Sequence, residues 1–460
     1  MTVTFSQDTI AAIITPPGEG GIAAIRIAGP RSQSIATKHF RPAAADDSVV
    51  TPFLLRYGHF IGHQGVIIDE VMLASMPEGR SYTGLQQVEI FCHGGRVVVN
   101  AILNELLNSG ARAAEPGEFT RLAFLSGRID LTKAEAVAEL IGAQTKLSYE
   151  TARDHLLGRY TSHIGLLRQK IVDILAVIEA AIDFPEESDA FSTEDVQTTL
   201  KEIATGIQSL AATYTGGRIL REGYTVAIAG RPNVGKSSLF NLLLRQERAI
   251  VTPMAGTTRD YLSEWIDLGG LAVRLIDTAG LRQTGGKIEK AGQATAKKII
   301  ADADLLLWMI DLSDRRWAAK IAEDINTVSK HVNLLMGNKI DICTDSVKRR
   351  FATSFPDAQL ISCLNQQGID SFKTAIHRRA NEQMPDLTFG VVVTSARHQQ
   401  KLRAASQSLR RAHTKLKIKE SPEIIAFEIR QAVNHLDEIT GKIYSEEVLE
   451  SIFSKFCIGK

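Results

Sequence analysis

The sequence predicts a multidomain protein of mixed α/β and α+β class, with an N-terminal α+β domain, a helical domain and a doubly wound α/β domain. A length of 460 residues is too great for one hydrophobic core. Short β-like runs, helical periodicity and strand–helix alternation occupy separate stretches of the chain. Because helical sequence lies on both sides of the α/β stretch, we expect an α/β domain inserted into a discontinuous helical domain.

The composition is that of an ordinary globular protein. Hydrophobic residues make up 44% of the chain, and no apolar run reaches the ~18 residues of a membrane span. The N-terminus has neither a basic leader nor the features of a transit peptide. Cys92, Cys343, Cys363 and Cys457 form no CxxC pair, which argues against a zinc knuckle or a disulfide framework and predicts a reducing cytoplasm. With a net charge of +1, any contact with RNA needs a local patch or a partner.

Residues 1–125 are predicted to form the N-terminal domain. Its β-like runs lie at 10–14, 22–27, 66–72 and 88–91. They alternate with a helix near 97–107 that stops at Gly110, which is typical of an α+β domain.

Residues 126–222 and 385–460 are predicted to be the two parts of the helical domain. Helix starts are predicted at a capping box over 132–135, at Ser421-Pro422 and at Ser445. A long helix ends at Pro185. Its predicted apolar face carries Leu166, Leu167, Ile171, Ile174, Leu175 and Ile178.

Residues 223–384 alternate strand and helix, which predicts a doubly wound, Ras-like sheet. Within them, 230–237 read Gly-Arg-Pro-Asn-Val-Gly-Lys-Ser between a strand-like run and a helical pattern. This is the context of a phosphate loop (P-loop), where backbone N–H groups surround a phosphate at the positive end of a helix. We expect Lys236 to reach the β- and γ-phosphates and Ser237 to bind Mg²⁺.

A second motif, Asn-Lys-Ile-Asp at 338–341, predicts which base of the nucleotide is bound. The carboxylate of Asp341 can accept two hydrogen bonds from guanine N1 and N2, a pair of donors that adenine lacks. The two motifs in this order predict that the inserted domain binds and hydrolyses GTP.

The segments between the two motifs predict how hydrolysis is controlled. Thr258 can hold Mg²⁺ when the γ-phosphate is present, Asp277 can orient the shell of the metal, and the Gly280 N–H can contact the γ-phosphate. Leu281 stands where Ras-like proteins use a glutamine to position the attacking water. Another group must therefore orient that water.

Two further residues each keep two interpretations. Asn233 can coordinate a monovalent cation beside the phosphates, or it can cap a backbone N–H. Glu289, on a Gly-rich segment, can be the missing catalytic carboxylate, or it can stabilise a helix start.

Short motifs along the whole chain add a resemblance to a known family. They are Pro-Pro-Gly at 16–18, Gly-Gly-Ile at 20–22, Ser-Tyr-Thr-Gly at 81–84, Cys-His-Gly-Gly at 92–95, Pro-Gly-Glu-Phe at 116–119, Asp-Leu-Thr-Lys-Ala-Glu-Ala at 130–136, Ala-Ile-Asp-Phe-Pro at 181–185, Asp-Thr-Ala-Gly-Leu-Arg at 277–282, Ile-Thr-Gly at 439–441 and Phe-Cys-Ile-Gly-Lys at 456–460. With them the sequence resembles the MnmE (TrmE) family of tRNA-modification GTPases from end to end.

The resemblance implies roles for residues of the inserted domain. It implies K⁺ ligands at Asn233, Thr252, Met254 and Thr257, and Mg²⁺ ligands at Ser237 and Thr258. It puts Glu289 at the water-orienting glutamate of the family. The implied GTP-binding positions are Asn233, Val234, Gly235, Lys236, Ser237, Ser238, Thr252, Gly256, Thr257, Thr258, Asp277, Thr278, Ala279, Gly280, Asn338, Lys339, Asp341, Ser362 and Cys363.

For the N-terminal domain, the resemblance implies a tetrahydrofolate derivative, 5-formyl- or methylene-tetrahydrofolate, as one-carbon donor. The matching folate-binding positions are Arg26, Glu89, Arg128 and Lys460. Alternatively, Arg26 is an ordinary strand-end residue, Glu89 lies on a strand face and Arg128 is a solvated residue at a helix start. Cys457 is a second catalytic candidate, which can touch the reacting carbon or can be a small hydrophobic residue.

The resemblance also implies partners. The family forms a homodimer through the N-terminal domain, and its GTP-binding domains associate in a K⁺-dependent way. A flavoprotein partner of the MnmG type brings FAD and NADH in a heterotetramer or larger complex. Together they modify C5 of the wobble uridine of tRNA.

Departures from the family pattern occur at several positions. Leu85 and Gln86 replace two carboxylates, and Arg128 stands where Lys is common. Pro253 removes an N–H from the predicted K⁺ loop. Leu364 stands where a Lys is expected over the guanine, so we expect weaker nucleotide binding than is usual in the family.

A ribosome-assembly GTPase that binds RNA without modifying it is the alternative function. That class carries an appended RNA-binding domain, whereas no GXXG loop follows the inserted domain here. A Ras-like signalling switch conflicts with Leu281 and with the large flanking domains.

Overall fold

The computed structural model describes residues 8–44, 51–184, 193–247, 263–277, 303–328, 334–384 and 390–460. The chain divides into two compact units. One comprises Met1–Ile141, Arg153–Ala204 and Ala404–Lys460, and the other comprises Gly142–Ala152 and Thr205–Arg403. The domain limits predicted after residues 125, 222 and 384 stay predictions.

The N-terminal part is a sheet backed by helices. Its strands are β1 Ile10–Ile13, β2 Gly20–Ala28, β3 Phe40–Pro42, β4 Arg56–Ile61, β5 Ile67–Met76, β6 Gln87–Gly94 and β7 Arg112–Ala113, in the order β3-β4-β5-β6-β2-β1-β7. The β1–β7 pair is parallel and the others are antiparallel. Helix α1 spans Ser32–Lys38, and α2 spans Arg96–Asn108. Ile25, Ile90 and Ile102 belong to one buried core of sheet and helices, which confirms the α+β class.

Helices follow the sheet. They are α3 Glu118–Leu125, α4 Leu131–Gly142, α5 Lys146–Leu156, α6 Arg159–Asp183, α7 Thr193–Ala212 and α8 Tyr214–Glu222. The predicted start of α4 is wrong in detail. Its first turn is capped by Asp130, whose carboxylate accepts from the Lys133 N–H (2.9 Å), while Thr132 donates its hydroxyl to the same carboxylate. The charged carboxylate is the better acceptor at a helix N-terminus.

The long helix α6 buries a slightly different face from the predicted one. Leu166 is 66% exposed. The buried side chains are Tyr160, Ile164, Ile171, Ile174 and Ile178, which recur at the spacing of one helical face.

The inserted part is a doubly wound sheet, as predicted. Its strands are β8 Tyr224–Gly230, β9 Ser263–Leu268, β10 Leu271–Asp277, β11 Leu305–Asp311, β12 Leu334–Asn338 and β13 Gln359–Leu360, in the order β13-β12-β11-β8-β10-β9. Only β9 is antiparallel to its neighbour among these described strands. The helices are α9 Lys236–Gln246, α10 Trp317–Val328, α11 Asp345–Ser354 and α12 Ile369–Gln383. Parallel strands place their carboxyl ends at one edge, where ligands bind in this class of fold.

The chain ends in helices α13 Ala396–Lys417, α14 Pro422–Thr440 and α15 Glu446–Phe453. Ser421 precedes α14, and Ser445 caps α15 by accepting from the Val448 N–H, as predicted. Across the insertion, α6 packs against α14, and Arg168 donates to both carboxylate oxygens of Asp437 (2.6 and 2.9 Å). This packing confirms a discontinuous helical domain. None of the described helices is long and apolar enough to cross a membrane.

The Arg168–Asp437 pair should stabilise the packing of α6 on α14. Arg168→Ala should cost about 2 kcal/mol, because it leaves the 9%-exposed carboxylate of Asp437 without two charge-assisted hydrogen bonds. Hydrogen exchange of α6 and α14 amides measures this loss as easier local opening. Arg430→Ala is the matched control, because the Arg430–Glu179 pair joins the same helices but is about half exposed and should contribute less than about 1 kcal/mol. Equal effects of the two substitutions would contradict the prediction.

Candidate functional site

The loop between β8 and α9 has the backbone of a phosphate-binding loop. Gly230 and Gly235 have φ values of 146° and 104°, which favour glycine. A β-carbon at Gly230 would lie 2.4 Å from the Met309 carbonyl oxygen, and one at Gly235 would lie 2.3 Å from the Asn338 amide nitrogen. The loop therefore packs closely against β11 and β12, and glycine is required at both positions.

Lys236 is buried at the start of α9 and points back over the loop. Its ammonium donates to the carbonyl oxygens of Gly230 (3.1 Å) and Arg231 (2.9 Å). The side chain is thus held at the centre of the loop, where a bound phosphate could take these hydrogen bonds.

Ser237 and Asp277 meet beside this lysine. The Ser237 hydroxyl donates to the Asp277 carboxylate (2.9 Å), and Asp277 is only 1% exposed at the end of β10. A hydroxyl and a carboxylate are hard oxygen donors, the kind that Mg²⁺ prefers. This donor set fits a magnesium ion.

The base motif is joined to the phosphate loop through Asn338. Its amide N–H donates to the Val234 carbonyl (2.8 Å), and its amide oxygen accepts from the Cys363 N–H (3.2 Å). Ser362 donates to Asp341 (2.6 Å), which orients that carboxylate. The structure thus brings the 230–237, 338–341 and 362–363 segments together at the carboxyl edge of the sheet.

Lys339 is anchored away from the loop. Its ammonium donates to Asp311 at the end of β11 (2.6 Å). Burial would raise the pKa of Asp311, but hydrogen bonds from Lys339 and Ser313 outweigh it and hold that pKa below its usual value. The ion pair therefore persists at neutral pH.

Asn233 is exposed in the loop and has a left-handed backbone, with φ of 64°. Its amide has no hydrogen-bond partner in the described parts of the chain. The capping alternative therefore has no support there, and the amide oxygen is available to a ligand.

Several predicted site residues lie outside the described residues. They are Thr252, Pro253, Met254, Gly256, Thr257, Thr258, Thr278, Ala279, Gly280, Leu281 and Glu289. Their roles stay predictions.

Arg231 has a structural role that the sequence did not predict. Its guanidinium donates to both oxygens of Asp324 in α10 (2.9 and 3.2 Å) and to Glu323 (2.7 Å). Trp308 of β11 donates its indole N–H to the same Asp324 (3.2 Å). We call these contacts of Arg231 with Glu323 and Asp324 the Arg231 clamp. Since the Arg231 carbonyl also accepts from Lys236, the clamp fixes the start of the phosphate loop. A charged residue inside the loop motif was the available signal.

Arg26 and Glu89 form a pair on adjacent strands of the N-terminal sheet. They are register partners in β2 and β6, and the guanidinium lies 3.0 Å from the carboxylate. The same guanidinium lies 5.0 Å from the ring centre of Tyr82 and 5.4 Å from that of Phe119. Both charged side chains are only 14% exposed, so the pair is sheltered between aromatic rings.

The C-terminal tail reaches this region. The Phe119 N–H donates to the Lys460 carbonyl (3.2 Å). Gly459 has a φ of 94° and packs closely against the Ile13 carbonyl. Arg128 donates to the Gly79 carbonyl (3.1 Å) and is exposed, as is Cys457. Phe119 therefore links the tail to the Arg26–Glu89 pair.

Comparison with known proteins gives matches along the whole chain. The family described as MnmE helical domain matches residues 131–457, and the GTP-binding protein TrmE N-terminus matches residues 9–128. The tRNA modification GTPase MnmE of Moorella thermoacetica is 41% identical over 475 residues, covering 99% of this chain and 100% of that protein. That of Lactiplantibacillus plantarum is 40% identical over 468 residues, covering 100% of both. A solved G domain of the T. maritima FeoB iron transporter covers 34% of this chain and 98% of that chain at 25% identity, but its TM-score of 0.26 supports no argument.

The Arg231 clamp should contribute to nucleotide affinity. Asp324→Ala should weaken GTP binding about tenfold, because it removes charge-assisted hydrogen bonds that order the loop. Titration with a fluorescent GTP analogue measures the change. Glu323→Ala is the control, since that carboxylate is 69% exposed and its pair is worth less than about 1 kcal/mol. Unchanged GTP affinity in Asp324→Ala would show that the clamp does not contribute to nucleotide binding.

The cysteines should differ in reactivity. Burial raises the pKa of Cys92 and of Cys363 to about 11, so both remain thiols at neutral pH. Cys457 is exposed. Iodoacetamide near neutral pH, followed by peptide mass analysis, should therefore modify Cys457 first, and Cys92 and Cys363 should react only as the pH approaches their raised pKa. Early alkylation of Cys363, which is half-buried beside Asn338, would contradict its raised pKa.

Proposed function

The chain belongs to the MnmE family of tRNA modification GTPases, and from this premise we propose that it couples GTP hydrolysis to a folate-dependent modification at C5 of the tRNA wobble uridine. One observation carries the proposal. A phosphate loop joined to a guanine motif through Asn338 stands in a chain that matches these GTPases over its full length. The names of the relatives favour tRNA modification over ribosome assembly.

The residues proposed to bind GTP are held in position by hydrogen bonds within the site. When GTP binds, Lys236 gives up its hydrogen bonds to the loop carbonyls and donates to the β- and γ-phosphates instead. Asp341, oriented by Ser362, accepts the two guanine donors. Ser237 would bind Mg²⁺, with Asp277 orienting the coordination shell of the ion, and the bound ion would supply positive charge to the phosphates.

A second cation takes the place of the arginine that related enzymes use. Leu281 cannot orient water, and the exposed amide of Asn233 is a fitting oxygen ligand for K⁺ beside the phosphates. Thr252, Met254 and Thr257 complete this proposed K⁺ site, Thr258 adds a Mg²⁺ ligand, and Glu289 orients the attacking water.

The N-terminal domain binds the one-carbon donor. Glu89 accepts hydrogen bonds from the donor edge of a pterin, while Arg26 lies against Tyr82 and Phe119, where a flat ring can stack. The donor set and aromatic walls fit a tetrahydrofolate derivative. Lys460 and Arg128 bind its acceptor groups, and exposed Cys457 contacts the reacting carbon.

The active protein is a homodimer that works with a flavoprotein partner in the cytoplasm. Support for a second copy comes from apolar side chains at one end of the N-terminal sheet, where β5 begins and β6 ends. Ile22, Ile67 and Val97 are 61%, 52% and 84% exposed there. The flavoprotein, of the MnmG type, brings FAD and NADH. The cysteines carry free thiols, which suits a reducing compartment.

The test is nucleoside mass analysis of tRNA from cells that lack this chain. C5-aminomethyl-type wobble uridines should be absent and should return with wild type but not with Asn233→Ala. The GTP hydrolysis rate of wild type should also fall when K⁺ is replaced by Na⁺, and Asn233→Ala should lose this difference. Normal wobble uridines in the deletion strain would contradict the proposal.

A further inference from the structure

The two carboxylate oxygens of Glu89 have different surroundings. Oε1 accepts from Arg26 Nε (3.0 Å) and from the side-chain amide of Gln87 (3.1 Å), and Arg26 Nη2 lies 2.9 Å from the same oxygen. Oε2 accepts no hydrogen bond from the parts of the chain that the structure describes. It is not fully buried either, so it is the oxygen that solvent or a ligand can reach. One oxygen of Glu89 is therefore fixed to the protein and the other is open.

Gln87 lies beside Glu89 on the same face of the N-terminal sheet. The two residues are two positions apart on β6, and alternate residues of a strand point to the same face. Gln87 is 0% exposed. Its amide nitrogen donates to Glu89 and also lies 3.5 Å from Sδ of Met76, its register partner on β5. Both amide hydrogens are thus used inside the protein, and Gln87 can influence a ligand at this face through Glu89.

The orientation of the Gln87 amide is set by Thr83. A carboxylate only accepts hydrogen bonds, so the group of Gln87 that faces Glu89 must be its NH2. The amide oxygen then faces the buried Thr83, whose hydroxyl donates to it (3.3 Å). The Thr83 hydroxyl in turn accepts from the Leu85 N–H (3.3 Å), which ties it to the backbone of the turn. The Ser-Tyr-Thr-Gly motif at 81–84 therefore supports Gln87 in one orientation.

Arg26 alone would not define this arrangement of Glu89. A guanidinium can pair with both oxygens of a carboxylate at once, through two parallel hydrogen bonds. In that geometry both oxygens of Glu89 would face Arg26, and the carboxylate would be less available to a ligand. The hydrogen bond from Gln87 to Oε1 favours the arrangement in the structure, in which Arg26 and Gln87 share one oxygen.

We propose that Gln87 is a positioning residue for folate binding, which holds Glu89 with Oε2 open to the N–H donors of the pterin. The inference rests on the proposed function, which places a folate at the Arg26–Glu89 pair. Gln87 itself contacts no part of the folate. It contributes to affinity because the acceptor is already oriented before the ligand arrives, so its ordering is not an additional cost of binding.

The test measures binding of 5-formyltetrahydrofolate to the full-length chain by isothermal titration calorimetry. Gln87→Met keeps an unbranched side chain of similar length but removes the amide. It should bind about tenfold more weakly, because a hydrogen bond to a charged group is lost. Gln86→Met is the matched control, since the same substitution at the neighbouring position breaks a hydrogen bond to Gln33 (2.6 Å) rather than one to Glu89. The control should bind like wild type.

A double-mutant cycle with Glu89→Gln separates positioning from general support of the fold. Glu89→Gln keeps an acceptor oxygen but loses the charge, so it should weaken binding about tenfold and leave it measurable. If Gln87 acts through the carboxylate, adding Gln87→Met to Glu89→Gln should cost less than about threefold. An equal loss in both backgrounds would show that the amide supports the fold instead, and it would overturn the proposal.

The remaining outcomes separate this proposal from the proposed function. Wild-type affinity in Gln87→Met would overturn the positioning role while the proposed function stands. A wild-type chain that binds no 5-formyltetrahydrofolate would overturn the folate assignment, and the positioning role with it. Circular dichroism checks that each variant is folded. If Gln87→Met is not folded, Thr83→Val decides, because it removes the hydroxyl that orients the amide and should weaken binding about threefold. Unchanged affinity in Thr83→Val would then count against the proposal.

Discussion

The nucleotide site depends on one buried amide, that of Asn338. It donates to the phosphate loop at Val234 and accepts from the 362–363 segment at Cys363, so a single planar group sets the distance between the two ends of the ligand. The side chain is 3% exposed, and a β-carbon at Gly235 would come within 2.3 Å of it. A buried polar group that is satisfied on both sides makes the surrounding geometry rigid, and losing either partner would leave an unpaired dipole in a low-dielectric interior.

The N-terminal site has a comparable constraint in Phe119. Its ring lies beneath the guanidinium of Arg26, and its N–H donates to Lys460, the last residue of the sequence. Gly459 allows the tail to approach the Ile13 carbonyl, where a β-carbon would lie 2.3 Å from that oxygen. The proposed folate site therefore requires groups that are 434 positions apart in the chain, and it depends on the packing of both against Phe119.

Local sequence predicted most of the architecture because motifs and periodicity are local properties. The phosphate loop, the guanine motif and the starts of α14 and α15 each depend on a few adjacent residues. Strand β4 was missed because its inward positions include Arg56 and Gly58, which break the apolar alternation. The Arg231–Asp324 clamp and the Arg26–Glu89 pair depend on strand register and helix packing across 93 and 63 positions, which no local pattern encodes.

The side chains at the two ends of the proposed nucleotide site are held differently. At the base end, Leu364 is 84% exposed and can supply neither the stem nor the charge of the lysine expected there. At the phosphate end, Lys236 must give up hydrogen bonds to two carbonyls before it can bind phosphate, and one of these belongs to Arg231. A loop that moved freely would add its ordering entropy to this cost. By anchoring Arg231 to α10, Asp324 restrains the start of the loop and so reduces this ordering cost.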